Sequence, residues 1–119
     1  MEKIETNLDR GIVSPSHPPI IGVVALAASE SALKAGTVLK LSDKEYEPCD
    51  ANDTPKAVLI QDVEKHDEAV NARVLMHGTV VESRLLGSDG NAAGETLKGK
   101  LSAAGIYMVQ AEWDESNFN

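Results

Sequence analysis

The chain has 119 residues, of which 42% are apolar and 25% charged, the size and composition of one soluble domain. Nineteen acidic residues against eleven basic ones give a formal net charge of −8, and the basic residues are scattered among acids. This pattern excludes a clustered basic face for nucleic-acid phosphates. The longest apolar run, nine residues from Ile20 to Ala28, is too short for a membrane span, which takes about 20.

Residues 1–19 are mostly polar and end in a proline-rich stretch. Proline lacks a backbone donor and disfavours helix at the preceding residue, so this stretch is interpreted as an extended N-terminal arm. A disordered terminus is the alternative. The side chains that would contact a partner through the arm are Ile4, Leu8, Ile12, Val13, Pro15, Pro18 and Pro19. Because Ile4, Leu8 and Ile12 are four residues apart, a short helix competes with an extended strand as the bound form.

Residues 20–111 are predicted to form a mainly β (α+β) domain. After the apolar run, Ser29 to Gly36 predicts a single helical turn, with serine at its start and glycine at its end. The alternating segment 37–42 predicts a strand, and 45–47 a short return strand. The segment 48–55 is rich in turn-forming residues and predicts a loop.

The strongest β pattern predicts a hairpin over residues 57–82, made of strands 57–63 and 70–82. In the second strand, one predicted face carries Val70, Ala72, Val74, Met76 and Val80, and the other carries Asn71, Arg73, His77 and Thr79. Gly78 indicates either a bulge or a close approach of another backbone.

The C-terminal third predicts one short helix and one strand. Residues 92–104 place Ala93, Leu97, Leu101 and Ala104 on one helical stripe, with Gly105 at the C-terminal cap position. A last strand follows over 106–111, and 112–119 form an acidic tail.

No motif predicts a catalytic residue, a cofactor site or a metal site. The three histidines, His17, His66 and His77, lack the spacing of a helical metal pair. The lone Cys49 is interpreted as a small, partly buried thiol, with a cysteine–histidine enzyme as a third hypothesis. The acidic segment 43–68 lacks the loop pattern of a calcium site, of which residues 50–53 are a fragment.

Several short motifs occur in a recognisable order. They are Ala35-Gly36-Thr37-Val38-Leu39, Tyr46-Glu47-Pro48, Ala57-Val58-Leu59-Ile60, Met76-His77-Gly78-Thr79-Val80 and Ala104-Gly105-Ile106-Tyr107. With the arm before them, over about residues 11–111, the chain resembles the head decoration proteins of tailed bacteriophages, the family of the lambda decoration protein D. One departure is that residues 50–53 and Leu59 stand where the family often has Trp-Asp-Gly and a glycine.

The resemblance implies a β-clip-like fold, a homotrimer and a role as capsid cement. Such trimers bind the outer surface of an expanded head at three-fold and quasi-three-fold sites, after synthesis in the host cytoplasm. They clamp the major capsid protein against the pressure of packaged DNA. The family's arm engages the shell, which here corresponds to residues 1–19.

The chain has more aliphatic side chains than a small core needs, and the excess is expected at the trimer interface. The candidates are Ile20, Ile21, Leu85 and Leu86. Core packing is the competing interpretation for each of them. The alternative function is a binding module that displays a receptor- or host-surface-binding face on the capsid, to which Tyr107 and Trp113 would contribute.

Overall fold

Six β-strands and one α-helix make up residues 19–110, the part of the chain that the structure, a computed structural model, describes. The strands are β1 (Ile20–Leu26), β2 (Val38–Ser42), β3 (Glu45–Pro48), β4 (Ala57–Leu59), β5 (Val70–Val81) and β6 (Ile106–Val109). The helix α1 spans Glu95–Ala103, and a 3-10 turn at Glu82–Arg84 follows β5. The predicted mainly β domain with one short helix near its C-terminal end is confirmed.

Several sequence predictions fall on residues that the structure does not describe. They concern the arm side chains Ile4, Leu8, Ile12, Val13, Pro15 and Pro18, the acidic tail 112–119 and its Trp113. Pro19 is the first described residue.

Five of the strands close into a small barrel. Their hydrogen-bonded order is β1-β3-β2-β4-β5, and β1 also pairs with β5, so the ring returns to its first strand. The β1–β5 pairing is antiparallel from Ile20 opposite His77 to Leu26 opposite Val70. By contrast, β1 meets β3 at the single parallel pair Leu26 and Tyr46. Closure pairs the strand edges that an open sheet would expose.

Two apolar cores lie on the two faces of this curved sheet. The inner core fills the barrel with Leu26, Leu39, Ala57, Leu59, Ala72 and Val74. The outer core lies between the barrel wall and the helix, and consists of Val38, Cys49, Val58, Leu75, Leu85, Ala93, Leu97, Leu101 and Ile106. Adjacent residues of one strand, such as Val38 and Leu39, thus belong to different cores, as the two-residue period of a strand requires.

The predicted hairpin is confirmed, with two differences. The first strand, β4, ends at Leu59, and the alternation of exposed and buried side chains along β5 reverses part of the way along the strand. Val58 pairs with Leu75, and Leu59 with Val74, in antiparallel register. Near the end of β1, Ile21 pairs with Leu75 but Ile20 pairs with His77, so Met76 is an extra residue in β5. A bulge of this kind reverses the side-chain alternation beyond it. Thr79, predicted to face outward, is consequently buried.

The predicted helical turn at 29–36 is wrong. Ser29 pairs with His66 and Leu33 with Val63, each through two backbone hydrogen bonds of 2.7–3.0 Å. These hydrogen bonds to a distant segment of the same chain use the donors and acceptors that a helical turn would need. The two segments are about 30 residues apart in the sequence, so a local pattern cannot indicate that they pair.

The helix is shorter than predicted at its N-terminal end. Ala92 forms a bridge with Leu86, and the Ala93 amide donates to the Leu85 carbonyl at 3.0 Å, so both residues are extended rather than helical. Gly105 has a φ of +95° directly after the helix, in the left-handed region typical of a glycine C-terminal cap. No helix among residues 19–110 is long and apolar enough to cross a membrane.

Candidate interaction surface

The exposed apolar side chains of the described residues concentrate on one strand. Ile20, Ile21 and Val23 of β1 have 56%, 48% and 66% of their surface exposed, and Leu41 at the tip of the β2–β3 hairpin has 45%. Val24 and Leu26 alternate with Ile21 and Val23 and pack on the inner core, whereas Ile20, which has the same parity as Val24, is exposed at the start of the strand. The surface formed by the three exposed residues Ile20, Ile21 and Val23 is called the β1 face below. Singly exposed apolar residues are common, but three on one strand indicate a contact surface.

The β1 face continues into the neighbouring strand. Ile21 pairs with Leu75, whose side chain is buried in the outer core, and Val23 pairs with Arg73, which is exposed. Paired residues share a face of the sheet, so the exposed strip adjoins the outer core and carries one cation at its side. Arg73 forms no ion pair with another residue between 19 and 110.

The arm joins the domain at this face. Pro19, directly before Ile20, packs on Gly78, where the Pro19 Cα lies 3.2 Å from the position that a Cβ would occupy. Gly78 also has a φ of +141°, which L side chains rarely adopt. The close backbone approach anticipated for this glycine is therefore present, and Pro19 belongs to the folded part of the chain.

Two of the four predicted interface residues lie on the β1 face, and one does not lie on the surface at all. Ile20 and Ile21 are exposed, whereas Leu85 is 1% exposed and packs in the outer core. The prediction of Leu85 at an interface is therefore wrong, because the 85–93 segment covers the barrel wall. Leu86 is half-buried beside a cavity of about 220 Å³ and donates its amide to the Gly36 carbonyl.

Sequence reasoning missed Val23, the most exposed member of the β1 face. The signal was present, because Ile21, Val23 and Ala25 alternate with Gly22, Val24 and Leu26. An unbroken apolar run conceals which of its two faces is covered. Only the packing of the inner core shows that the alternate set is exposed.

Cys49 is buried in the outer core, and its Sγ lies 3.4 Å from the Asp50 carbonyl oxygen. Burial raises the pKa of the Cys49 thiol to about 11, and the nearby carboxylates of Asp53 and Asp50 add to the shift. The thiol is therefore protonated near neutral pH and weak as a nucleophile. The cysteine–histidine hypothesis would need a histidine ring beside this thiol. The ring nitrogens of His66 instead contact the carbonyls of Glu64 and Ala27, and the His77 ring packs edge-on against Tyr107.

The acidic loop at residues 50–53 binds lysines. Asp53 Oδ2 accepts hydrogen bonds from the Asp50 amide at 3.2 Å and from Lys40 Nζ at 3.1 Å. Lys100 Nζ donates to the carbonyls of Ala51 and Asp53 at 2.7 and 3.1 Å. The backbone bond and Lys40 hold the pKa of Asp53 below its usual range. Residues 19–110 contain no group of three or more acidic, histidine or cysteine side chains placed to hold a metal ion.

No protein-family model matches the chain, and no curated protein matches it.

Proposed function

We propose that this chain is a capsid decoration protein of a tailed phage, with a β-clip-type fold. In this proposal it binds as a homotrimer to the outer surface of an expanded head, at three-fold and quasi-three-fold sites. Each trimer clamps neighbouring copies of the major capsid protein and stabilises the shell against the pressure of packaged DNA.

The observation that carries this proposal is the β1 face and its position next to the arm. Exposed Ile20, Ile21 and Val23 lie on a strand that is paired with β5 over its whole length, and residue 19 precedes them without an intervening loop. Burying the exposed half to two-thirds of each of these side chains against a second copy would contribute about 1–2 kcal/mol. A face that meets a different surface of the next copy closes into a ring under three-fold symmetry.

The remaining surface is compatible with this role. The net charge of −8 favours solubility of a protein present in many copies, and the described residues offer no activated thiol. The proposed role needs an arm that binds the capsid, a surface that contacts the next copy and a stable core. The proposal assigns each of these to a separate part of the chain.

The test is the mass of the protein in solution at micromolar concentration, followed by co-sedimentation with expanded, undecorated capsids. We expect the mass of three chains, and we expect Val23→Asp to yield monomers that bind capsids weakly, because avidity is lost. Leu41→Asp is the matched control, since Leu41 is similarly exposed but lies on the β2–β3 hairpin.

A stable wild-type monomer, or a Val23→Asp trimer, would contradict the proposal. Trimers that bind capsids without raising their resistance to heat would instead favour the display of a receptor-binding face.

A further inference from the structure

His66 has an acceptor at each of its ring nitrogens. Nδ1 lies 2.7 Å from the Glu64 carbonyl oxygen, and Nε2 lies 2.8 Å from the Ala27 carbonyl oxygen. Both distances are within hydrogen-bond range. A carbonyl oxygen only accepts, so each contact is a hydrogen bond only where the ring nitrogen carries a proton.

A neutral imidazole carries one N–H and can therefore satisfy one of the two carbonyls. Its other nitrogen would direct a lone pair at an oxygen lone pair. The imidazolium carries two N–H donors and satisfies both. The geometry thus distinguishes the two protonation states by one hydrogen bond, which would be charge-assisted.

The contact to Ala27 lies at the weakest closure of the barrel. β1 and β3 share one residue pair, Leu26 with Tyr46, and one further bond from the Ala27 amide to the Tyr46 carbonyl at 2.8 Å. Ala27 therefore bonds to β3 through its amide and to His66 through its carbonyl. The His66 backbone is held in place by its two hydrogen bonds with Ser29, each 3.0 Å long.

The ionisable groups on the segments paired at this junction include carboxylates on three of them. They are Glu30 beside Ser29, Glu45, Tyr46 and Glu47 on β3, and Glu64, Lys65, Asp67 and Glu68 around His66. Among these groups only Glu47 forms an ion pair with another residue between 19 and 110, and its partner is Lys40.

We propose that His66 is a pH-sensitive latch on the junction of β1 and β3. The protonated ring donates hydrogen bonds to the Ala27 and Glu64 carbonyls and thereby stabilises the closure of the barrel between β1 and β3. In the neutral ring we place the remaining proton on Nδ1, which has the shorter contact of 2.7 Å to the Glu64 carbonyl, so the bond from Nε2 to Ala27 is the one lost. The closure is therefore firmest when the ring is protonated and loosens as the ring loses its proton. The latch does not depend on a capsid, a trimer or the arm.

The test is amide hydrogen exchange, followed by NMR on the full-length protein from about pH 5.5 to about pH 7.5, where histidine titrates. After correction for base catalysis, we expect protection of the Ala27 amide to fall about tenfold, the size expected for loss of one charged hydrogen bond. The Leu59 amide donates to the Thr37 carbonyl just before the neighbouring strand β2. It is the internal reference and should keep its protection.

Three variants separate the latch from other titrating groups. His66→Gln should show no fall in Ala27 protection with pH, whereas His17→Gln should behave like the wild type. His66→Lys, which is cationic throughout this range, should also give a flat profile. An equal fall in His66→Gln and the wild type would overturn the proposal.

A second measurement decides the matter even if the His66 variants fail to fold. In wild-type protein labelled with ¹⁵N-histidine, the signals of the two ring nitrogens report the protonation state of His66 directly, and we expect Ala27 protection to fall as one ring proton leaves. Constant Ala27 protection through the ring's titration would show that the ring contacts do not hold the junction.

Discussion

At the scale of single residues, Gly36 is the glycine between residues 19 and 110 with the least space for a Cβ. Its φ is +106°, and a Cβ built there would lie 2.0 Å from the Arg84 carbonyl oxygen. Its backbone also bonds in two directions, to the Leu59 carbonyl and from the Leu86 amide. Gly36 therefore connects the end of β4 to the segment at residues 84–86 through its backbone hydrogen bonds. A Cβ at this position would collide with that segment.

We predict that Gly36→Ala lowers the free energy of unfolding by more than about 3 kcal/mol. Backbone strain at positive φ accounts for about 1–3 kcal/mol, and displacement of the 84–86 backbone adds to it. Urea unfolding followed by circular dichroism measures the change.

The matched control is Gly90→Ala. Gly90 has a φ of +83°, but a Cβ there would meet no atom within 4 Å. This variant should lose only the conformational part, about 1 kcal/mol. Equal losses in the two variants would show that the contact with Arg84 has no energetic consequence.

At the scale of elements, the loop at residues 50–53 is attached to β2 and α1 by two lysines. Lys40 on β2 binds the Asp53 carboxylate, and Lys100 on α1 binds two carbonyls of the loop. Asp53 also closes the turn on itself through the Asp50 amide. One carboxylate thus contributes both to the turn and to its attachment.

We predict that Asp53→Asn makes the protein less stable at neutral pH and less sensitive to acid. The pKa of Asp53 is lower in the folded chain than its ordinary value, so its stabilisation is present above about pH 4 and is lost as the pH falls through the folded value. The urea midpoint of the wild type should therefore fall more steeply below about pH 4 than that of the variant.

Asp67→Asn is the control for this experiment, because the Asp67 carboxylate accepts no hydrogen bond from residues 19–110. Its acid profile should follow the wild type. If Asp53→Asn did so as well, Asp53 would not anchor the loop.

At the scale of the whole molecule, the arm and the domain have separate roles in the proposed function. Pro19 packs on Gly78, so the boundary between the two lies before residue 19. Fully extended, 18 residues span roughly 60 Å, enough to reach a neighbouring subunit.

We predict that removal of residues 1–18 leaves a folded trimer that no longer binds capsids stably. The domain should survive because both cores are built from residues between 26 and 106. Sedimentation tests the trimer, and co-sedimentation with expanded capsids tests binding. A chain lacking residues 112–119 is the control and should bind normally. Loss of the trimer on removing the arm would show that the arm belongs to the domain.

Local patterns in the sequence were sufficient for elements whose partners lie nearby. The alternation of 37–42 predicts β2, the turn residues between two β-rich runs predict the β4–β5 pairing, and Gly105 predicts the end of α1. Each signal depends on neighbouring residues, since the period of a strand and the conformation of a glycine cap are local properties.

The sequence by itself therefore determined the class of the fold, the helix α1 and an aliphatic core. Only the tertiary structure decided that Leu85 is core while Val23 is exposed, that 29–33 pairs with 63–66, and that Met76 reverses the pattern of β5. These outcomes depend on which distant segments meet when the barrel closes. An apolar run has the same local pattern whether one of its faces or both are covered, so burial is settled only by the partner strands.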